Sequence, residues 1–389
     1  MSFKAHFRRV LDADPDRLHV AAHSHHLWPD VTFEAQQHCW DDAARLADRK
    51  WEHVFGEVMP AAQRAVARVL NLARPADIAF GPNVHAFLLR ILSCLPAGRP
   101  ARVLTTDGEF HSVTRQVRRL EEDGLARVTR VPTAPFGSFT ARFAKAAGRG
   151  GHDLVYLSQV FYDSGYAVPD LPALVAAVPD PEAFVVIDGY HGFMALPTDL
   201  APIQDRAFYL AGGYKYAMAG EGAAFLCAPP GWGPRPRDTG WFAAFGALEA
   251  GETGVVAYGA DGTRFLGATF DPVGVYRLRA VLEWLDGIGV TVADVHDRVH
   301  ALQRRFVEHL RTLELAALGP EHLVVPVTEP NRGHFLTFRT DDAARIHQAL
   351  RDRNVITDYR GDRLRFGFGL YHDEDDVDRL CTVLTTTLS

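Results

Sequence analysis

Short continuous apolar runs alternate with helical segments through the middle of the chain. Residues 185–187 and 225–226 are apolar without interruption, which is typical of strands covered by helices on both faces, because a half-exposed strand alternates apolar and polar residues. Strands around such runs are predicted over residues 102–106, 153–158, 183–188, 207–211 and 223–228. Their alternation with helices predicts an α/β architecture with a mainly parallel sheet.

The flanking regions have different patterns. Residues 31–72 carry apolar side chains at helical spacing and predict two helices broken near Pro60. From about residue 271, helices are predicted over 274–285, 292–313, 341–351 and from Glu374, with strands near 322–327, 334–339, 355–358 and 364–368. This mixture predicts a smaller α+β domain. Residues 229–262 are rich in Gly, Pro and aromatic residues, and a loop of that length is usually functional or mobile.

Composition narrows the classes of function. The 389 residues are 47% hydrophobic and 23% charged with both signs interspersed, which favours a globular protein over disorder. A net charge of −7 without a basic run predicts no nucleic-acid partner. The apolar runs fall far short of the ~20 residues that a membrane helix needs, and the charged N-terminus has no signal-peptide pattern. Because the four cysteines are isolated, we expect a cytoplasmic protein with reduced thiols.

Only four of the 41 basic residues are lysines, which shortens the search for a lysine nucleophile. Lys4 lies at the terminus, Lys50 in a charged helix and Lys145 in a polar loop-helix. Lys215 instead follows a predicted strand and stands among glycines in AGGYKYAMAGEG. Asp188 ends another apolar strand, in FVVIDGYHG.

Ligands of open α/β sheets bind outside the carboxyl ends of the strands, where Lys215 and Asp188 are predicted to lie. A lysine and a carboxylate in one crevice suit pyridoxal phosphate (PLP), because the lysine links covalently to the cofactor and the carboxylate keeps the pyridine nitrogen protonated. Taken singly, each is more simply an ordinary polar residue at a strand end, and only the two together favour the cofactor site.

Several motifs match one family. They are Asp188 and His191 in DGYHG, the Tyr214–Lys215 pair, Gly240–Trp241–Phe242, Ala268–Thr269, NRGHFLTFR, and the tail VITDYRGDRLRFGFGLYHDEDDVDRL with Arg365. With these motifs the chain from about Trp51 resembles the kynureninases, which are fold type I, PLP-dependent members of the class V aminotransferase superfamily.

The resemblance implies a three-part organisation. A large PLP-binding domain over residues 61–272 would contain a mainly parallel seven-stranded sheet flanked by helices. A small α+β C-terminal domain would span 273–389. An N-terminal segment, 1–60, would pack on both domains beside the substrate.

The resemblance also implies site residues. Lys215 and Asp188 would be catalytic, and the cofactor would contact these two together with Val84, His85, Phe110, His191, Tyr214, Trp241 and Thr269. Of these, Phe110 would stack on the pyridine ring, and the backbone of Val84 and His85 would bind the phosphate at a helix N-terminus. Trp241 and Thr269 would reach the phosphate of a neighbouring subunit, which implies a homodimer with shared active sites.

Substrate contacts are implied for Arg365, His23 and Ser24. Arg365 would offer a bidentate fork to an α-carboxylate, although on the residue alone a surface ion pair is the simpler role. Phe110 on the residue alone could equally be a core aromatic.

Two positions depart from the family pattern. Phe110 is followed by His111, Ser112 and Val113 where kynureninases have Pro-Thr-Asp, so a second acidic partner near the pyridine nitrogen is predicted to be missing. The segment 23–27 replaces the usual Gly-Asn-Ser-Leu-Gly, which bears on the choice of substrate.

No metal site is predicted. Asp188 and His191 lack a third ligand at supporting spacing. The group His23, His25 and His26 is consistent with chance clustering among eighteen histidines.

Three hypotheses about function follow. A kynureninase-like hydrolase would cleave a carbon–carbon bond of a γ-oxo amino acid and release alanine, with Lys215 moving the Cα proton and with kynurenine placing it in tryptophan catabolism. An aminotransferase, a β-lyase or an epimerase would keep the cofactor and change the reaction. Cysteine desulfurase fits less well, because residues 321–339 contain no cysteine. The third hypothesis is a non-catalytic binding protein on the same fold.

Overall fold

The computed structural model describes residues 2–232, 234–250, 254–313 and 315–388. The strands are β1 (Leu18–His19), β2 (Ile78–Gly81), β3 (Ala101–Thr106), β4 (Ala126–Val131), β5 (Leu154–Ser158), β6 (Phe184–Asp188), β7 (Phe208–Ala211), β8 (Ala224–Cys227), β9 (Phe335–Arg339), β10 (Val355–Ile356), β11 (Asp358–Arg360) and β12 (Arg363–Gly367). The α-helices are α1 (Arg8–Asp12), α2 (Val31–Leu46), α3 (Lys50–His53), α4 (Met59–Leu70), α5 (Val84–Cys94), α6 (His111–Glu122), α7 (Phe139–Ala147), α8 (Leu171–Ala176), α9 (Val273–Gly287), α10 (Val292–Leu313), α11 (Ala343–Arg351) and α12 (Glu374–Leu388).

Within the described residues, seven strands form one sheet in the order β2-β8-β7-β6-β5-β3-β4. The neighbours from β4 to β7 run parallel, and β8 runs antiparallel to β7 and β2. Val185 and Ile187 pack into one apolar core, and Phe184 and Val186 pack into a second core. Because successive side chains of a strand point to opposite faces, the sheet is covered on both sides. The predicted α/β fold with a mainly parallel sheet is confirmed.

The strand order places a crevice at one edge of this sheet. β3 pairs with β4 on one side and with β5 on the other, so the chain changes direction across the sheet at β3. Ser158 at the end of β5 lies level with Asp188 at the end of β6. Ligands of open α/β sheets bind outside the carboxyl ends of the strands at such a switch point.

A smaller antiparallel sheet, in the order β11-β12-β9, holds Arg365. Arg365 of β12 pairs with Asp358 of β11 and with Thr337 of β9. The N-terminal segment lies alongside, because β1 pairs with β10 and Ala21 forms a bridge to Gly367. Residues just after β1 therefore lie beside the strand of Arg365.

The predicted helix break near Pro60 corresponds to a π-helical turn, and a second break was not predicted. The helical region 31–72 is interrupted at Ala47–Arg49, where Ala47 has a φ of 48°, and again at the π-helical turn Val54–Val58, which α4 follows. Pro60 lies in the first turn of α4, where its missing N–H would have no helical partner.

One predicted strand is wrong, and β1, β2 and β4 were not predicted. Within the described residues, the region 322–327 forms no strand: Leu323 makes only an isolated bridge to Phe338 after a 3-10 turn at Pro320–His322. β2 and β4 both belong to the large sheet, and neither was predicted. In the described part of the chain, no helix is both long enough and apolar enough to cross a bilayer.

Candidate active site

A cavity of about 320 Å³ opens at the carboxyl ends of β5 and β6. It collects side chains from the ends of strands, from the loops that follow them and from the start of α5. Seven of the nine predicted cofactor residues line it, namely Val84, His85, Phe110, Asp188, His191, Tyr214 and Lys215. The crevice expected from the strand order is thus a real cavity.

Lys215 enters the cavity from the loop after β7. A Cβ atom at Gly212 in this loop would lie 2.5 Å from the hydroxyl oxygen of Tyr190, so glycine is needed for the tyrosine to pack there. The Lys215 Nζ donates to the carbonyl oxygen of His23 at 2.9 Å and lies 3.0 Å from His191 Nε2. Burial lowers the pKa of Lys215 to about 7. Such an amine is substantially unprotonated near neutral pH and can act as a nucleophile or a base.

Asp188 is held by two donors. The Tyr156 hydroxyl donates to Oδ2 at 2.8 Å, and the backbone N–H of Tyr190 donates to Oδ1 at 2.9 Å. Burial raises the pKa of Asp188, opposed by these hydrogen bonds and by the charge of Lys215. A cation beside the carboxyl would restore its ionised form, because an opposite charge favours the anion. Asp188 is therefore suited to hold a protonated nitrogen.

His191 and Tyr214 flank Lys215. Burial holds the pKa of His191 well below its usual range, so its ring is neutral. The Tyr214 ring lies 4.7 Å from the ring of Tyr190 and stacks on His25 at 5.1 Å between centroids. Burial raises the pKa of Tyr214 to about 12, which keeps its hydroxyl protonated and able to donate.

Helix α5 begins at the cavity wall. Asn83 caps it by accepting a hydrogen bond from the backbone N–H of Ala86 at 2.9 Å. The first N–H groups of a helix have no partner within the helix, and they attract anions. Val84 and His85 occupy that first turn and line the cavity, so their backbone can receive a phosphate.

Several known proteins are similar to this chain in sequence or in structure. The family model of the kynureninase C-terminal domain matches residues 295–384. A kynureninase of Deinococcus radiodurans is 26% identical over 320 residues, which cover 80% of this chain and 74% of that protein. A probable cysteine desulfurase of Vibrio cholerae is 23% identical over 312 residues, which cover 75% of this chain and 72% of that protein. The solved structure of the cystine C–S lyase C-DES with cysteine persulfide has a TM-score of 0.81 at 18% identity, covering 97% of this chain and 100% of that one.

This chain has the PLP-dependent fold of the class V aminotransferase superfamily. A second structure of C-DES, with a TM-score of 0.80 at 19% identity over 98% of this chain and 99% of that one, has glycine covalently linked to its PLP cofactor. These matches support the PLP cofactor predicted from the sequence.

In this class V fold Arg365 lies behind the cavity wall. Its side chain is only 4% exposed, pairs with Asp358 and donates to the carbonyl oxygen of Tyr162. Tyr162 lines the cavity. A substrate carboxylate would therefore meet a guanidinium that Asp358 already partly neutralises.

The two predicted substrate residues of the N-terminal segment, His23 and Ser24, lie differently with respect to Lys215. His23 is fully buried, stacks on Phe335 at 4.7 Å and accepts the hydrogen bond of Lys215 through its carbonyl. Ser24 places its Oγ 3.3 Å from His25 Nδ1 and is not among the described residues that line the cavity. The structure brings His23, and not Ser24, into contact with Lys215.

Trp241 and Thr269 contact each other on the surface. The Trp241 Nε1 donates to Thr269 Oγ1 at 3.1 Å. Both residues are exposed, and within the described residues neither lines the cavity of its own chain. Their predicted contact with a cofactor could therefore only be made across a subunit boundary.

Glu109 is a second buried acidic group near Asp188, but it is not among the described residues that line the cavity. It is buried, and its carboxylate accepts hydrogen bonds from Thr106 Oγ1 and Ser158 Oγ, each at 2.6 Å. Ser158 is the residue that lies level with Asp188 in the sheet. Burial raises the pKa of Glu109 to about 7, opposed by these hydroxyl donors. The second carboxyl thus precedes Phe110 in the sequence, whereas the family pattern places it after.

Replacing Glu109 by glutamine is expected to change the pH dependence of stability. The pKa of Glu109 is raised from 4.5 to about 7, so the folded state binds the proton more tightly than the unfolded chain, and the wild type loses stability as the pH rises through that window. Because glutamine does not titrate, the free energy of unfolding of the variant minus that of the wild type should rise by roughly 1–3 kcal/mol between about pH 5 and about pH 8. Urea unfolding at both pH values measures the difference. The contributions of the other titrating groups cancel in this difference, because both proteins contain them. If the difference in the free energy of unfolding did not change with pH, the expectation would be contradicted.

Proposed function

We propose that this protein is a PLP-dependent, kynureninase-like hydrolase that cleaves a carbon–carbon bond of a γ-oxo amino acid and releases alanine. The observation that carries the proposal is the buried amine of Lys215, with a pKa of about 7, in the cavity that also holds Asp188. The match of residues 295–384 to the kynureninase C-terminal domain and the 26% identity to a kynureninase support this reaction over others of the same fold.

The cavity residues fit PLP. Lys215 offers an amine for the covalent link, Asp188 offers an oriented carboxyl for the pyridine nitrogen, and the first turn of α5 offers N–H groups for the phosphate. The volume of about 320 Å³ is that of a small-molecule site. Bound PLP would supply an electron-withdrawing ring that stabilises negative charge at the substrate Cα.

Lys215 is placed to move protons. Its unprotonated Nζ can accept the Cα proton, and the neutral ring of His191, 3.0 Å away, can orient that nitrogen. Asp188 would hold the proton at the pyridine nitrogen. Addition of water to the side-chain carbonyl and cleavage of the bond between that carbon and Cβ would release the acyl group as a carboxylic acid. One proton of the water would go to Cβ, and Lys215 would return the abstracted proton to Cα, which completes alanine.

Sulfur transfer from a protein thiol is disfavoured by the state of the cysteines. All four lie in the described residues, and none of them lines the cavity. Burial raises the pKa of Cys39 to about 11 and the pKa of Cys94 and Cys381 to about 12, and it raises that of Cys227 further. Because the thiolate is the nucleophile, these thiols are poor candidates for a desulfurase cysteine.

Replacing Arg365 by lysine is expected to raise KM for the amino-acid substrate by roughly tenfold or more, with a smaller change in kcat. Lysine keeps the charge beside Asp358 but lacks the planar fork that binds a carboxylate through two parallel hydrogen bonds. Steady-state kinetics measure the change. Arg363→Lys on the same strand is the matched control, because Arg363 pairs with Asp163. Equal effects of the two substitutions would refute a specific role for Arg365.

We further propose that the protein acts as a cytoplasmic homodimer with shared active sites. The supporting observation is the exposed Trp241–Thr269 pair, which lies away from the cavity of its own chain. Sedimentation velocity should show a dimer, and a monomer that retains full activity would rule out sharing.

The reaction is tested with purified protein saturated with PLP on a panel of kynurenine, other γ-oxo amino acids, cystine and common amino acids. Alanine formed in equal amount with an acyl product supports the proposal. Pyruvate would indicate a β-lyase, a keto acid an aminotransferase, and inversion at Cα an epimerase. No turnover, together with the absence of a visible band that borohydride removes, would favour a non-catalytic binding protein.

A further inference from the structure

Three histidines far apart in the sequence meet outside the active-site cavity. His296 and His300 stand four residues apart on α10, on one face of the helix, and His334 directly precedes β9. One ring nitrogen of each lies within 4.8 Å of the others. His296 Nδ1 and His334 Nε2 are 3.2 Å apart, close to the roughly 3.3 Å between two nitrogens of a tetrahedral zinc site with bonds of about 2.0–2.1 Å.

The cluster contains buried nitrogens whose hydrogen-bonding capacity is unused. His334 is 0% exposed and His300 is 8% exposed. Among the described residues, His300 Nε2 and His334 Nδ1 have no hydrogen-bond partner. A buried polar atom without a partner is destabilising by about 1–3 kcal/mol, and an ion bound at His300 Nε2 would offset this cost for His300.

The remaining contacts of two of the rings differ. The carbonyl of Gly333 contacts the ring of His300 and leaves its Nε2 without a partner, as in metal-bound histidines that a backbone carbonyl orients through the other nitrogen. The carbonyl oxygen of Ala195 lies 3.1 Å from His296 Nδ1, so an ion would bind His296 through Nε2 or would replace this contact. His296 is only partly buried, so an ion can reach the cluster from solvent.

The charges around the cluster keep the rings neutral. Burial lowers the pKa of all three histidines, that of His300 to about 3, and the nearby charge of Arg332 lowers each further. Neutral imidazole is the form that binds a metal. Arg332 itself donates to the carbonyl of Val327 and to the side chain of Gln303.

We propose that His296, His300 and His334 bind a late first-row transition-metal ion, with Zn²⁺ the foremost candidate, through three imidazoles of a tetrahedral site completed by water. Imidazole ligands suit Zn²⁺, Cu²⁺ and Ni²⁺, and hard cations such as Mg²⁺ prefer oxygen. The ion would tie α10 and β9 to the loop of Ala195, which also carries His191. The site is structural and separate from the Lys215 cavity, so the proposal stands whichever amino acid the enzyme uses.

Metal binding to the untagged, PLP-saturated protein tests the proposal. After chelator treatment and dialysis, calorimetric titration with Zn²⁺ should show one ion per chain, and binding should weaken at least about 100-fold in His300→Gln and His334→Gln. His309→Gln is the matched control, because His309 lies on the same helix, is only partly buried and pairs with Asp378. His25→Gln controls for the other histidine group. All variants carry the same cofactor, so binding at PLP itself would persist in every one.

A spectroscopic readout keeps the test decisive if a variant fails to fold. Co²⁺ in the wild-type protein should give the intense visible d–d bands of tetrahedral nitrogen coordination. Equal Zn²⁺ affinity in the folded His300→Gln or His334→Gln variant would overturn the proposal. So would wild-type protein that binds no stoichiometric Zn²⁺ and gives no tetrahedral Co²⁺ bands.

Discussion

Replacing Lys215 by alanine is expected to reduce turnover by roughly 10³-fold or more and to remove the covalent link between protein and cofactor. The buried Nζ, with a pKa of about 7, is the group placed both to link to PLP and to move the Cα proton. Its neighbours, the carbonyl of His23 and the ring of His191, can bind an amine but cannot replace one as a nucleophile. Initial rates and mass spectrometry after borohydride reduction measure the two losses.

A lysine elsewhere in the chain provides the control. Lys145 lies exposed on α7, and Lys145→Ala should leave both the rate and the borohydride-stable adduct unchanged. The Lys215→Ala variant should melt no lower than the wild type, because it removes a buried amine whose lowered pKa marks an unfavourable burial of charge. Partial recovery of the rate with a small exogenous amine would confirm the role in proton transfer. A variant that keeps both its rate and its adduct would exclude Lys215 as the linking residue.

The interior of the fold could be predicted from the sequence, because burial on both faces leaves a local signal. β5 to β8 are buried throughout and apolar except at the ends of β5 and β6, and all four were predicted. β4 lies at the sheet edge, and its residues Arg127 and Arg130 interrupt the apolar run. β2 has four residues and belongs to the sheet through its pairing with β8. Both unpredicted strands of the large sheet, β2 and β4, therefore depend on contacts between residues that are distant in the sequence.

The unpredicted interruption at Ala47 and the wrong strand at 322–327 have local structural causes, which the pattern of apolar and polar residues does not reveal. Ala47 adopts a positive φ, a conformation for which glycine or asparagine is the usual signal. The apolar run at 323–327 is typical of a strand, but Pro326 has no N–H for a ladder, and only Leu323 makes a bridge.

Much of the candidate site could be predicted because its residues stand at strand ends or at a helix start. Lys215, Asp188 and Val84 belong to this group and line one cavity. Glu109 and Tyr156 could not be assigned in the same way. Their positions beside Ser158 and Asp188 depend on strand register and on side-chain hydrogen bonds, which composition and spacing do not encode.

The pairing of Arg365 with Asp358 is a second contact that could not be predicted from the sequence. Only the family resemblance suggested Arg365 as a carboxylate ligand, and its partner Asp358 becomes visible only when β11 and β12 are aligned. If Arg365 binds the substrate as proposed, the affinity would reflect competition with Asp358 as well as the geometry of the fork.

Replacing Asp188 by asparagine is expected to lower kcat by roughly 10²–10³-fold, the usual effect of losing one preorganised polar contact to a reacting group. The carboxylate is the charge that would hold the proton at the pyridine nitrogen, and an amide of the same shape carries no charge. The fold should persist, because the amide oxygen can still accept from the N–H of Tyr190, and the hydroxyl of Tyr156 can rotate to accept from the amide nitrogen. Single-turnover kinetics with the PLP-saturated variant measure the chemical step.

Tyr156→Phe separates the charge of Asp188 from its orientation. This substitution removes the donor 2.8 Å from Oδ2 and keeps the carboxylate, so a loss of about tenfold is expected, in line with one hydrogen bond to a charged group. The pH at which the visible band of the bound cofactor changes should move down strongly in Asp188→Asn and only slightly in Tyr156→Phe, because the first variant removes the charge that favours the protonated nitrogen. An Asp188→Asn enzyme within a few-fold of the wild-type rate, with an unmoved spectral titration, would mean that the pyridine nitrogen does not face this carboxylate. The cavity would then have to hold its cofactor in another orientation.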